Sequence, residues 1–429
     1  MDHYLLFGGF FSILSAQPIV VVAVAVGFYM AWNIGANDVA NAMGTSVGSK
    51  SLTFGQAIAV AAIFEFSGAV LVGSSVTDTV RKGIVQPSDF VGNPDVLMYG
   101  MLAALVSAAV WLNVATYFGQ PVSTTHSIVG GVLGFGLISG NAVNWVKVGQ
   151  IVASWFISPV ASGLIAMVVF WLILKLIIRR QEPDLAARWY APFLVFVVTF
   201  ILALSFIYKG LKSVEFFNQM PLPTALGWAT MTGVLCAILS WFAIARIAHE
   251  VTLTEDQKLA FVERIFMFLQ IITACYVAFA HGANDVANAV GPLAAVVEIA
   301  STHAVPTKVP VPLWILAFGG VGIVFGLVMM GKRVMETIGS GITEITPSRG
   351  FAAQFGAATA VLICSRLTLP VSTTHCLVGA VMGVALVRGI SAVDVKTVRN
   401  IFVSWIATVP IAAVLTVVVY LGFRLFLIG

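Results

Sequence analysis

From Phe7 to Asn37 the chain runs without one charged side chain, and apolar stretches of similar length recur to its end. About 20 such residues, wound as a helix, span the ~30 Å hydrocarbon core of a bilayer. In lipid a backbone must satisfy its own hydrogen bonds, which leaves helices or closed barrels. Runs of this length select helices. Only 9% of the 429 residues are charged, against roughly 25% in a soluble domain, too few to cover a water-facing surface. The chain therefore reads as an all-α polytopic membrane protein. Twelve apolar segments are expected, at about 5–34, 53–77, 96–118, 126–138, 150–178, 191–208, 223–245, 265–282, 313–331, 350–368, 376–387 and 401–427. The fourth and eleventh are too short to cross alone and are expected to pair with the polar turn before them. "DHYLLFGGFFSILSAQP" imitates a signal peptide but lacks a basic start, and the apolar run resumes after Pro18, so it reads as part of the first span.

Charge placement gives an orientation. With the N-terminus outside, the inner segments hold Lys50, Lys175, Arg179, Arg180, Arg188, Arg246, Lys258, Arg264, Lys332, Arg333, Arg349, Arg388, Lys396 and Arg399. The outer loops then hold only Arg81, Lys82, Lys147, Lys209, Lys212 and Lys308. The positive-inside rule thus puts both termini outside. A net charge of +4 without a dense basic cluster argues against nucleic acid as a partner. The longest polar stretch, Arg246 to Arg264, has no room for an ATPase domain. "GTSVGSKS" at 44–51 nearly copies a phosphate-binding loop, but Ser49 stands where glycine is required and no strand precedes it. Cys236, Cys275, Cys364 and Cys376 lie in apolar segments and are expected to be buried thiols.

The chain also repeats itself. GANDVANA occurs at 35–42 and 282–289; "QPVSTTHSIVGGVLG" at 120–134 matches "LPVSTTHCLVGAVMG" at 369–383; "SWFISP" at 154–159 loosely matches "SWIATVP" at 404–410. The offsets are 247, 249 and 250. Seven crossings separate the two GANDVANA copies, an odd number, so the second copy enters the membrane the other way up. Two inverted-topology repeats are expected, at 1–178 and 263–429, joined by two spans and a short loop at 179–262. Inverted repeats mark secondary transporters, with the site at their interface.

Each motif carries chemistry. Asn37, Asp38 and Asn41 share one helix face, as do Asn284, Asp285 and Asn288. An unpaired aspartate in the bilayer centre costs roughly 3 kcal/mol on insertion scales, and no Lys or Arg lies in the neighbouring span. Carboxylate and amide oxygens suit a hard cation such as Na⁺; Gly35 and Gly44 would allow local unwinding that frees carbonyls for it. Such groups also glue helices together by hydrogen bonds, but a paired occurrence favours a cation site at Asp38 and Asp285, with no transition metal. In PVSTTH, Pro121 and Pro370 begin new helices, Ser123 and Ser372 are natural N-caps, and Thr124, Thr125, Thr373 and Thr374 occupy first turns. Unsatisfied N–H groups, the helix dipole and these hydroxyls favour an anion site over the plain alternative of a re-entrant turn capped for its own sake, which needs one hydroxyl and not three. His126 and His375 would orient the hairpins, relay a proton or touch the ligand. Gly130/Gly134 and Gly379/Gly383 would let the half-helices pack closely. Glu65 is a lone acid in the second span; the other copy has Gly and apolar residues around Gly319 in its place, so Glu65 breaks the symmetry and is either a second cation ligand or proton carrier, or a protonated or hydrogen-bonded packing residue. Gln354 is a further polar candidate, and Arg366 either draws the anion or snorkels to the surface.

GANDVANA with PVSTTH, each present twice, resembles the inorganic phosphate transporter (PiT) family of sodium- or proton-coupled phosphate symporters, over nearly the whole chain. The resemblance implies twelve spans, re-entrant helical hairpins and a homodimer. It implies cation binding at Asn37, Asp38, Asn41, Asn284, Asp285 and Asn288, and phosphate binding at Ser123, Thr124, Thr125, Ser372, Thr373 and Thr374. Glu65 matches a carboxylate position of the family; Gln354 stands where animal members carry Glu. The short 246–264 loop suggests a prokaryotic protein of the plasma (inner) membrane. The function expected is symport of inorganic phosphate with Na⁺ or H⁺ and no other cofactor. The competing readings are a sulfate symporter, a passive anion channel and an intramembrane enzyme using the histidines and aspartates.

Overall fold

The computed structural model describes residues 18–73, 83–140, 143–207, 220–247, 254–305, 311–366 and 371–428. The start of the first predicted span, Leu369 and Pro370, and Arg81, Lys82, Lys209, Lys212 and Lys308 lie outside them, as does the Arg366 side chain. The described residues form twelve α-helices: α1 (Pro18–Gly48), α2 (Phe54–Val72), α3 (Pro94–Tyr117), α4 (Thr124–Ser139), α5 (Trp145–Ile173), α6 (Pro183–Ser205), α7 (Leu222–Ile247), α8 (Glu255–Thr302), α9 (Leu313–Glu336), α10 (Pro347–Arg366), α11 (Thr373–Arg388) and α12 (Val395–Phe423). Nine are long and apolar enough to cross a membrane; α4 and α11 are shorter apolar helices. The all-α polytopic fold is thus as the sequence requires.

Capping marks the starts. Thr53 and Thr254 form capping boxes with Gln56 and Gln257, closing off N–H groups that lipid would leave unsatisfied. Asp394 caps α12 by accepting from the Thr397 N–H at 2.7 Å, which holds its carboxyl below the usual carboxylate range. Asn144 does the same for α5.

Two boundaries differ from the sequence reading. GANDVANA does not unwind its helix. Both copies lie inside continuous helices, α1 with 31 residues and α8 with 48. Packing is the reason. A Cβ at Gly35 would lie 1.8 Å from the Ile323 carbonyl oxygen of α9, and one at Gly282 would lie 2.0 Å from the Glu65 carbonyl oxygen of α2. The glycines allow backbone-to-backbone approach of intact helices, not a break. Because Glu65 and Ile323 occupy matching places, the counterpart of Glu65 is Ile323, one turn beyond Gly319. The copies are interlocked: α1 of the first packs on α9 of the second, and α8 of the second packs on α2 of the first.

The hairpins follow the same exchange. α4 returns beside the start of α3, where Phe135 stacks on Phe90 at 5.4 Å. α11 returns beside the start of α10, where the Arg388 guanidinium lies 3.5 Å from Glu344. The α4 glycines face α12 and the α11 glycines face α5: a Cβ at Gly134 would meet the Ala413 carbonyl oxygen at 2.4 Å, and one at Gly383 the Gly163 carbonyl oxygen at 2.1 Å. Cys364 and Cys376 are buried as expected; Cys236 and Cys275 are only half-buried, because α7 and the outer face of α8 look outward.

Gly326 offers a direct test of this packing. A Cβ there would stand 1.7 Å from the Trp32 carbonyl oxygen. Gly326→Val should cost at least the ~1–3 kcal/mol typical of overpacking and lower the thermal midpoint in detergent. Gly422→Ala, where nothing lies within 4 Å, should not.

Candidate functional site

The two motif pairs meet at one buried place, contributed by α1, α8 and the amino ends of α4 and α11. Asp38 is 1% exposed. Its carboxylate accepts from Asn41 Nδ2 at 3.1 Å, from the Thr374 hydroxyl at 3.2 Å and from the Thr124 hydroxyl. Asn41 Nδ2 also lies 2.9 Å from Thr374 Oγ1 and 3.3 Å from Thr373 Oγ1. In the other copy Asn288 donates to Asp285 at 3.2 Å and to Thr125 Oγ1 at 3.4 Å. Each motif's second asparagine therefore reaches the hairpin of the opposite copy. Ser123 and Ser372 cap α4 and α11, accepting from the N–H of His126 and His375 at 3.2 Å each.

Asn37 is spent differently. Its Nδ2 donates to Thr116 Oγ1 at 2.9 Å and to the Gln120 carbonyl at 3.0 Å, and its Oδ1 accepts from the Val122 N–H at 3.1 Å. It braces the turn that leads into α4. Asn284 is half-buried next to Asp285. Gln354, fully buried on α10, donates to the Ala42 carbonyl at 2.8 Å and to Ser46 Oγ at 3.3 Å. The His126 and His375 rings sit edge-to-face at 4.5 Å; His375 stacks on Trp405 at 3.6 Å and His126 lies 4.3 Å from Trp155. The two histidines join the hairpins to each other and to α5 and α12, beside an apolar cavity of about 650 Å³.

The group that sequence reading missed is His281. It precedes the second GANDVANA by one residue, where the first copy has Ile34. Its Nε2 lies 3.0 Å from Asp285 and 3.8 Å from Asp38; its Nδ1 lies 3.2 Å from Glu65. The group beside Asp38 is neither Lys nor Arg but an imidazole from the other copy, one turn before Asp285. Its (i, i+4) spacing from Asp285 was the available signal. Ligand atoms of Asp38, His281 and Asp285 lie within 4.8 Å of one another, a set able to hold a cation. Imidazole also suits transition metals, but the other groups that meet Asp38 are the Thr124 and Thr374 hydroxyls and the Asn41 amide, none of them a soft ligand. Removing His281 would take the imidazole from three buried carboxylates and leave Glu65 with no polar contact in its place among the described residues, and breaking a buried pair costs about 3–5 kcal/mol. His281→Ala should lower the thermal midpoint in sodium-free buffer, and saturating Na⁺ should recover part of the loss.

Half-helix amino ends opposed to buried carboxylates inside a polytopic bundle define a transporter site. The comparisons agree. The model of the phosphate transporter family matches residues 34–416, and the chain belongs to that family, one of transporters and not enzymes. A Thermococcus kodakarensis chain assigned as a phosphate permease is 46% identical over 93% of this chain and 96% of its own length. The chloroplastic inorganic phosphate transporter 2-1 of Arabidopsis thaliana is 44% identical over 91% of this chain and 70% of its own. A solved structure described as the sodium-dependent phosphate transporter superposes with a TM-score of 0.86 at 43% identity, covering 96% of this chain and all of that one.

Proposed function

We propose that the chain is a secondary active symporter that takes up inorganic phosphate with Na⁺ by alternating access of two inverted repeats, 1–178 and 263–429, around a fixed centre. The carrying observation is that the Thr124 and Thr374 hydroxyls, from hairpins of opposite copies, both donate to Asp38. Those donors are spent on a carboxylate. A cation that takes the lone pairs of Asp38 releases them to an oxyanion and removes the charge that repels it. Each ligand then raises the affinity of the other, as linkage demands. Energetics require the same coupling, since each negative charge moved inward against 100 mV costs about 2.3 kcal/mol.

In this reading Asp38, Asn41, Asp285 and Asn288 bind the cation, and Ser123, Thr124, Thr125, Ser372, Thr373 and Thr374 surround phosphate. Asn37 and Asn284 support them, and Glu65 with His281 sets the charge of the centre. The setting is a homodimer in a prokaryotic plasma (inner) membrane, both termini outside. The test is counterflow in proteoliposomes, phosphate against sulfate, with Na⁺ and pH gradients imposed separately. Phosphate accumulation driven by Na⁺ alone supports the reading. Sulfate preference, drive by the pH gradient alone, or flux without any cation gradient would each reject it for the corresponding rival.

A further inference from the structure

The two sides of the centre are unlike. Beyond Asp38 towards the carboxyl end of α1, buried polar side chains continue: Asn41, Thr45 and Ser46 on the helix, then Ser49 and Ser51 past its end. Gln354 of α10 joins at Ser46, and Gln270 of α8 closes the line, its Oε1 accepting from Ser49 Oγ at 2.8 Å and Ser51 Oγ at 2.7 Å. The line ends beside exposed Lys50. At the motif offset of 247, Thr45, Ser46, Ser49 and Gln270 correspond to Pro292, Leu293, Val296 and Ala23; at the hairpin offset of 249, Gln354 corresponds to Leu105. All five counterparts are buried and apolar. Ser51, at the mouth of the track, is matched by the half-buried Glu298; between the centre and that end the duplication therefore has polar side chains on one side and apolar ones on the other.

Several atoms of the track have no hydrogen-bond partner among the described residues: Asn41 Oδ1, Thr45 Oγ1, Gln354 Oε1 and Gln270 Nε2. Buried polar groups are normally satisfied, and an exception calls for a reason. Two of these are fixed as acceptors. Asn41 must turn its nitrogen to the Asp38 carboxylate, and Gln354 must turn its nitrogen to the Ala42 carbonyl, so each leaves an oxygen over. Unpaired acceptor oxygens attract a cation and repel an oxyanion.

We propose that Asn41, Thr45, Gln354 and the Ser49–Ser51–Gln270 cluster form the route by which the coupled cation passes between Asp38 and the membrane face bearing Lys50. The inference rests on the reading of Asp38 as a cation ligand. Thr45 and Gln354 touch the ion only in transit: their oxygens replace successive parts of its hydration shell. The phosphate groups are contacted elsewhere, at the hairpin ends, so loss of track oxygens slows movement without weakening phosphate capture.

The test uses the full chain. Initial rates of sodium-driven labelled phosphate uptake are measured in proteoliposomes, and sodium-dependent phosphate binding is measured in detergent. Thr45→Val, which keeps the shape and removes the hydroxyl, and Gln354→Leu should each lower uptake about tenfold or more while binding stays within about threefold. Thr45→Ser should restore uptake. Wild-type rates in both variants, a loss of binding parallel to the loss of uptake, or failure of Thr45→Ser to restore uptake would overturn the route. Asp38→Asn separates the two levels of argument. If it is inactive while the track variants are normal, only the route fails; if it is fully active, the cation reading fails with it.

Discussion

Asp38→Asn and Asp285→Asn each reduce sodium-driven phosphate uptake by two to three orders of magnitude, with protein still reaching the membrane. The size follows from electrostatics. A unit charge facing Na⁺ at about 4 Å contributes about 4 kcal/mol at an effective dielectric of about 20, which is roughly a thousandfold in affinity. Asparagine keeps the shape and one carbonyl oxygen, so the fold is preserved while the charge is lost. Asp38→Asn also replaces the acceptor of the Thr124 and Thr374 hydroxyls and of Asn41. Phosphate binding without sodium should therefore change little, or rise, since the repelling charge is gone, while the dependence on sodium flattens. Influx of labelled phosphate into proteoliposomes over a series of sodium concentrations measures both effects. Uptake at the wild-type rate with an unchanged sodium curve would refute a cation site at either aspartate.

The double variant Thr124→Val/Thr374→Val should weaken phosphate binding about a hundredfold or more. Valine is nearly isosteric with threonine but cannot donate. A hydrogen bond to a charged group contributes about 1.5–3 kcal/mol, and two hydroxyls from opposite hairpins are lost together. The caps Ser123 and Ser372 remain, so the amino ends of α4 and α11 stay formed. Sodium binding in the absence of phosphate should change by less than about tenfold, because the amide of Asn41 still donates to Asp38. Isothermal titration with phosphate at saturating sodium, and with sodium alone, separates the two. Equal weakening of both ligands would mean that the hydroxyls shape the carboxylate site only. Unchanged phosphate affinity would remove them from the anion site.

The pattern of effects also discriminates between sides. Track variants change rate at constant phosphate affinity, hairpin variants change phosphate affinity, and aspartate variants change the response to sodium. A passive channel would show none of this separation, since its flux needs no coupled cation.

Local chemistry made much of this protein legible in one dimension. Charge-free runs dictate transmembrane helices because lipid offers no partner to an open backbone. Pro121-Val122-Ser123 dictates a new helix with Ser123 as its cap, because proline cannot continue a preceding helix and serine satisfies the first N–H groups. Two matched motif pairs gave the candidate residues, since repeats at near-constant offsets fold alike. Pairings across long separations were decided only in three dimensions. His281 meets Glu65 and Asp38 because Gly282 lets α8 lie against the α2 backbone, a contact between copies that no spacing within either one encodes. The same close packing kept the GANDVANA helices whole where the glycines alone suggested a break. Glycine in a sequence permits either outcome; the carbonyl of a neighbouring helix, 1.8 Å from where a Cβ would stand on Gly35, chooses between them.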